Sequence, residues 1–284
     1  MGGVSGVGPS GQAPAPDALP IPVVDNHTHL DISRDGKDLP DIQSVIDAAT
    51  AVGVPRMVQI GCDLPGARFT IEAIERYAAL LGGVALHPNE APRLQTLGEL
   101  DSAKAEIEVL ASHPMVRVIG ETGLDYFRTG PEGVAAQQDS FRWHIDLAKR
   151  SGKALQVHDR DAHADVLRIL AEEGAPERTV LHCFSGDLVM ARECVELGYF
   201  LSFSGTVTFK NARDVRNALS VTPMDNLLVE TDAPFLTPVP HRGATNAPYL
   251  VPLTVRAMAG VLNVDVPALC TAVAANSERV YGSW

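Results

Sequence analysis

Two histidines, His27 and His29, stand one residue apart in the run Val23-Val24-Asp25-Asn26-His27-Thr28-His29-Leu30. On an extended strand alternate side chains share a face, so both imidazoles and Asp25 are expected to point into one space. Imidazoles beside a carboxylate at a strand end are metal-ligand chemistry. Four later segments repeat the pattern of an apolar run closing on a His or an acid: Arg117-Val118-Ile119-Gly120-Glu121, Ala154-Leu155-Gln156-Val157-His158, Thr179-Val180-Leu181-His182 and Leu227-Leu228-Val229-Glu230-Thr231-Asp232. Taken singly, each such residue reads as a hydrogen-bonded structural group. Taken together, His27, His29, Glu121, His158, His182 and Asp232 would all be buried polar groups in need of partners, and shared cations satisfy them. Six donors exceed one tetrahedral site, so two divalent ions are expected, with Glu121 as the carboxylate between them. Paired ions about 3.5–4 Å apart clamp the attacking and leaving oxygens of a phosphoester, which favours phosphoester hydrolysis.

Converging strand ends require a particular scaffold. From Ile21 onward short β-branched runs alternate with helical patterns. Helices are predicted over 41–52, 67–80, 99–111, 135–149, 162–172 and 188–197, and strands over 56–61, 83–86 and 199–203 besides those that end on the candidate ligands. Ile42, Val45, Ile46 and Ala49 give the first helix its apolar face, and Gly53 stops it. Eight strands alternating with about eight helices fit an α/β fold of the (β/α)₈ TIM-barrel kind, with the metal centre at the C-terminal strand ends. A doubly wound open sheet would gather its ligands at one switch point and carry a Gly-rich turn after the first strand, which is absent.

The chain has 284 residues, 45% of them hydrophobic, enough for one large core. Residues 1–20, rich in Gly, Pro, Ala and Ser, read as a disordered tail ahead of a single domain over 21–284. Acids outnumber bases 35 to 23, for a formal charge of -12. The overall field therefore repels polyanions, and any nucleic acid must be met by local cations. Cys62, Cys183, Cys194 and Cys270 match neither a disulfide framework nor a CxxC zinc site, so a reducing, cytoplasmic setting is expected. No run approaches the roughly 20 apolar residues of a membrane span.

The chain resembles the TatD family of metal-dependent deoxyribonucleases, within the amidohydrolase-like TIM barrels, from about Ile21 to Tyr281. The resemblance rests on Asp25 to Leu30, on Gly120-Glu121-Thr122-Gly123-Leu124-Asp125-Tyr126, on His158-Asp159-Arg160-Asp161-Ala162 and on His182-Cys183-Phe184-Ser185-Gly186. It rests equally on Glu230-Thr231-Asp232-Ala233-Pro234-Phe235-Leu236 and Arg242-Gly243-Ala244-Thr245-Asn246-Ala247-Pro248. It implies that His27, His29 and Asp232 hold one ion, His158 and His182 the other, and that Glu121 bridges. The similar phosphotriesterase-like branch bridges with a carboxylated lysine on strand four, where this chain has Glu121. His87 resembles a substrate-facing family histidine, and Asn89 replaces a second histidine of some members.

Arg242 and Asn246, after strand eight, would suit a phosphate. Cys183 is expected to turn toward the helices, and His113, His144, His163 and His241 to be surface or structural. Asp125 and Tyr126 either line the mouth or brace their loop, and Asp159 and Asp161 are expected to cap the following helix. The expected activity is hydrolysis of DNA phosphodiesters, as a 3′–5′ exodeoxyribonuclease, by a hydroxide that two divalent cations (Mg, Mn, Zn, Fe, Co or Ni) generate and Asp232 helps to deprotonate. Single-stranded DNA or DNA ends are the expected partner, with no membrane and a monomeric chain. The rival readings are an amidohydrolase or esterase acting on an amide, lactone or aminoacyl ester with the same centre, and a non-catalytic metal-binding module.

Overall fold

The computed structural model describes residues 12–36 and 39–284. Eight parallel strands pair in strict chain order: β1 (Val24–Thr28), β2 (Arg56–Gly61), β3 (Leu80–Val84), β4 (Val116–Asp125), β5 (Ala154–Arg160), β6 (Thr179–Leu181), β7 (Phe200–Phe203) and β8 (Leu227–Val229). The sheet closes just past β8, where Asp232 N donates to His27 O at 2.9 Å and His29 N to Ala233 O at 2.8 Å. This is the expected TIM barrel, and its closing seam joins residues 27–29 to residues 232 and 233.

Ten helices are described outside and below the sheet: α1 (Ile42–Ala51), α2 (Leu64–Arg76), α3 (Glu90–Leu97), α4 (Leu100–Ala111), α5 (Pro131–Ser151), α6 (His163–Glu173), α7 (Leu188–Glu196), α8 (Arg213–Val221), α9 (Val251–Leu262) and α10 (Val266–Tyr281). Local chemistry starts several of them. Asp41, Asp63 and Asp187 cap α1, α2 and α7, accepting from Ser44 N, Gly66 N and Met190 N at 2.7–2.9 Å.

Strand alternation divides the apolar residues between two cores. Val24, Val58, Ile60, Leu81, Val118, Val180 and Leu228 fill the barrel interior, and Val280 and Tyr281 of α10 close its floor. Residues of the opposite parity, such as Met57, Leu80, Ile119 and Val229, pack against the helices. The candidate ligands thus stand on a rigid, apolar plug.

The second helix ends at Arg76, not residue 80, and the third strand begins at Leu80. Leu80 and Leu81 are fully buried on opposite faces of β3, so pairing with β2 overrides the helix-forming run before it. Gly82 and Gly83 weaken the strand signal there, yet a Cβ on Gly83 would lie 2.4 Å from Ile60 Cδ1. Helices α3, α8, α9 and α10 have no counterpart in the sequence reading. Residues 1–11 of the expected tail lie outside the described residues. From Gln12 to Pro20 the chain is pinned to the barrel at Ala13 and Leu19, which are buried, and by hydrogen bonds: Leu19 N donates to Val52 O, Tyr249 Oη to Ala13 O, and Arg256 to Asp17 O. Among the described residues no single helix is long and apolar enough to cross a membrane.

Candidate metal centre

Regular alternation from Val24 would turn His27 outward with Asp25, but the register of β1 against β2 slips between Asp25 and Thr28. His27 and His29 therefore face the barrel axis, and Asp25 does not join them. Its carboxylate accepts from Thr231 N at 2.8 Å and Thr231 Oγ1 at 2.5 Å, in the seam between β1 and the chain after β8. The expected common face of Asp25 and the histidines is thus broken by a bulge. Burial pushes the Asp25 carboxyl up to about 8, against the lowering effect of the Thr231 bonds.

Hydrogen bonds assign the tautomers of the pair. Gln156 spends its amide N–H groups on Asn26 O and Tyr281 Oη, both at 2.8 Å, so its Oε1 accepts from His27 Nδ1 at 2.8 Å. His29 Nδ1 donates to Ile60 O at 2.9 Å. Both Nε2 atoms then present lone pairs, only 3.1 Å apart. Asp232 Oδ1 lies 3.8 and 3.4 Å from them, and Glu121 Oε1 3.8 and 3.6 Å. Lone pairs and carboxylate oxygens aimed at one point repel unless a cation stands among them, so these residues fit a divalent ion. Burial disfavours charge on His29, yet the Asp232 hydrogen bond and the charges of Glu121 and Asp232 outweigh it and raise its pKa to about 9. The same field attracts a metal. Burial, then the neighbouring His182 charge, holds His27 well below the usual imidazole range.

Glu121 also sits at a register slip, between Ile119 and Thr122 of β4, that turns its carboxylate inward. Oε1 faces His27 and His29, while Oε2 lies 2.7 Å from His182 Nε2 and 3.0 Å from His158 Nδ1. Those two nitrogens are 3.5 Å apart. Burial opposes ionisation of Glu121, but the His182 charge and the hydrogen bonds from His158 and His182 hold it well below the usual carboxylate range. His182 Nδ1 faces Glu230 Oε1 at 3.3 Å, and Glu230 is held by Cys183 N at 2.7 Å and Ser202 Oγ at 2.5 Å. His158 Nε2 is buried without a hydrogen-bond partner and lies 3.5 Å from Asp125 Oδ2. His27, His29 and His182 are thus oriented from behind by an amide, a carbonyl and a carboxylate, the outer support that metal-binding imidazoles require, and the Asp125 carboxylate stands behind His158.

A cavity of about 640 Å³ opens over these residues. His87 lines it, its Nδ1 accepting from Asn89 N at 3.1 Å and its ring edge-on to His158 at 4.6 Å. Burial first, with a smaller repulsion from His158, lowers His87 to about 3, so it is neutral and presents Nε2–H. The structure does not bring Arg242 or Asn246 to this cavity. Arg242 stacks on Phe209 at 3.5 Å and donates to Thr237 O. Asn246 is buried, its amide N–H groups spent on Thr231 O and Phe235 O. Both residues shape the loop after β8.

Cys183, expected to face the helices, lines the cavity, because β6 ends at Leu181 and Cys183 has the left-handed φ of 42°. Strand alternation no longer applies there. Cys62 was missed, although it follows β2 as the other donors follow their strands. Its Sγ donates to Glu121 Oε1 at 3.1 Å, and burial, then Glu121, pushes the thiol well up. Asp159 does not cap α6 but pairs with His163 Nδ1 at 2.7 Å. Tyr126 Oη bonds Asp165, away from the centre, whereas Asp125 lines the mouth. His144 is structural: its Nε2 accepts from Leu86 N and its Nδ1 donates to Ser140 O.

Residues 24–282 match the TatD related DNase family. A Mycobacterium tuberculosis protein called uncharacterized metal-dependent hydrolase TatD is 46% identical over 264 residues, covering 92% of this chain and 98% of its own. The uncharacterized metal-dependent hydrolase YcfH of Escherichia coli K12 is 38% identical over 91% of this chain and 95% of its own. The crystal structure of YJJV, a TatD homologue of Escherichia coli K12, superposes with a TM-score of 0.83 at 24% identity, over 92% of this chain and 98% of that one.

Proposed function

This chain belongs to the TatD related DNase family of metal-dependent hydrolases, and from that premise we propose that it hydrolyses phosphodiester bonds of DNA, as a 3′–5′ exodeoxyribonuclease. The observation that carries the reading is the divided carboxylate of Glu121, one oxygen toward each histidine pair. His27, His29 and Asp232 would hold one divalent ion, His158 and His182 a second, with Glu121 between them. Such ions supply Lewis acidity toward a phosphoryl oxygen and make water a nucleophile at neutral pH.

The protein's own groups perform the remaining work. Asp232 faces the cavity from the seam, where its carboxylate can accept the proton of an attacking water. His87 Nε2–H, neutral and fixed by Asn89, can donate to a phosphoryl oxygen that gains charge in the transition state. Gln156 and Ile60 O hold His27 and His29 in the tautomers that leave their inward nitrogens unprotonated, and the carboxylates of Asp125 and Glu230 stand behind His158 and His182. Cys62 holds Glu121 from the side of β2.

The test is metal analysis of the purified protein, then incubation of 3′- and 5′-labelled single-stranded DNA with Mg or Mn, with and without chelator. Chelator-sensitive nucleotide release from the 3′ end is expected. Absence of chelator-sensitive release from either end, with turnover of an ester or amide instead, would move the assignment to another hydrolase of the family.

A further inference from the structure

Beyond the ligands, β4 and β5 continue as a pair, with Gly123 opposite His158 and Asp125 opposite Arg160. Arg160 shares the inward face of His158 and stands about 7 Å further along the strand, at the strand rise per residue. Its guanidinium lies 3.9 Å from the centroid of the Phe127 ring, and Phe127 is still 63% exposed. Arg160 and Arg128 both line the cavity mouth. Neither guanidinium makes a hydrogen bond or ion pair among the described residues.

That is unexpected in a chain with 35 acids to 23 bases. On the outer helices, Arg142, Arg150 and Arg168 each bridge two acids. At the mouth the acids answer to other groups: Asp125 accepts from Arg128 N and Asn89 Nδ2, and Asp159 Oδ2 pairs with His163 Nδ1. Two guanidinium groups without a hydrogen-bond or ion-pair partner among the described residues, one of them stacked on a largely exposed phenylalanine ring, combine the two features by which proteins hold single-stranded nucleic acid, a cation for the backbone and a ring for a base.

We propose that Phe127, Arg160 and Arg128 form a strand-holding step at the mouth, where a base of a single-stranded nucleic acid stacks on Phe127 and the adjoining phosphate meets the two guanidinium groups. The inference rests on the phosphodiesterase reading and deepens it. It explains how a chain of strongly negative charge retains a polyanion: the contact is confined to one strand entering one cavity.

Binding of labelled phosphorothioate single-stranded DNA to the metal-loaded protein, followed by fluorescence anisotropy over a salt series, tests it. Phe127→Ala is expected to weaken binding about 5- to 150-fold, the range for one base on one ring. Arg160→Gln is expected to lower the slope of log affinity against log salt by about 0.7, one phosphate contact on a single strand. Arg192→Gln, an exposed arginine on α7, should change neither quantity, and melting curves should match wild type for all three. Wild-type affinity and slope in both mouth variants, alongside intact cleavage of ordinary DNA, would overturn the strand-holding step and leave the phosphodiesterase reading standing. A wild type that neither binds nor cleaves the DNA would overturn that reading itself.

Discussion

At the scale of single residues, the centre depends on which atoms face inward. Asp232→Asn removes the proposed proton acceptor while keeping shape, and is expected to lower kcat by about 10²- to 10⁴-fold with little change in melting temperature. Glu230 touches His182 from behind, so Glu230→Gln should weaken metal affinity about 10- to 100-fold, read as the free-metal concentration for half-maximal activity. Excess metal should restore most of the rate in Glu230→Gln but not in Asp232→Asn. The six candidate donors that the structure brings together were legible in the sequence as candidates, because a His or acid closing an apolar strand is chemically conspicuous. The roles of Asp25, Cys62 and Cys183 were not. Each depends on where the backbone leaves strict alternation, at the β1 bulge, just past β2 and at the left-handed Cys183, and no residue type encodes that departure.

At the scale of elements, the strand pairings carry three register slips, and two of them lie under a candidate ligand, His27 on β1 and Glu121 on β4, while the third lies at Gly82 and Gly83 where β3 meets β4. The number and order of strands could be read from periodicity, while β3 was misplaced because Gly82 and Gly83 give no strand signal of their own. Close packing explains those glycines, so Gly83→Ala is expected to destabilise the fold by about 1–3 kcal/mol in urea melts. Helix α5 is tied to the chain after β3 by His144, which burial lowers to about 3. The unfolded imidazole binds its proton near pH 6.5 and the folded one only near 3. Folding therefore loses stability as pH falls through that window, and keeps this contribution above it. His144→Leu should flatten that acid limb while costing about 1–3 kcal/mol at neutral pH, since Leu86 N–H would be left unpaired.

At the scale of the whole molecule, the barrel gathers five strand ends over a floor closed by α10, in a chain whose formal net charge is -12. The expectation of an acidic exterior with local cations is consistent with the site, although the cations found at the mouth are Arg128 and Arg160, not Arg242. Loop chemistry misled there, because a loop arginine between strand and helix is legible as a type but its stacking on Phe209 is a tertiary outcome. In the proposed centre one carboxylate, that of Glu121, divides a pair of cation sites. Metal content per chain after reconstitution and removal of free ion, by mass spectrometry on wild type and Glu121→Ala, tests it most directly. Two equivalents in the wild type, falling below two in the folded variant, are predicted; a single equivalent in both would contradict it.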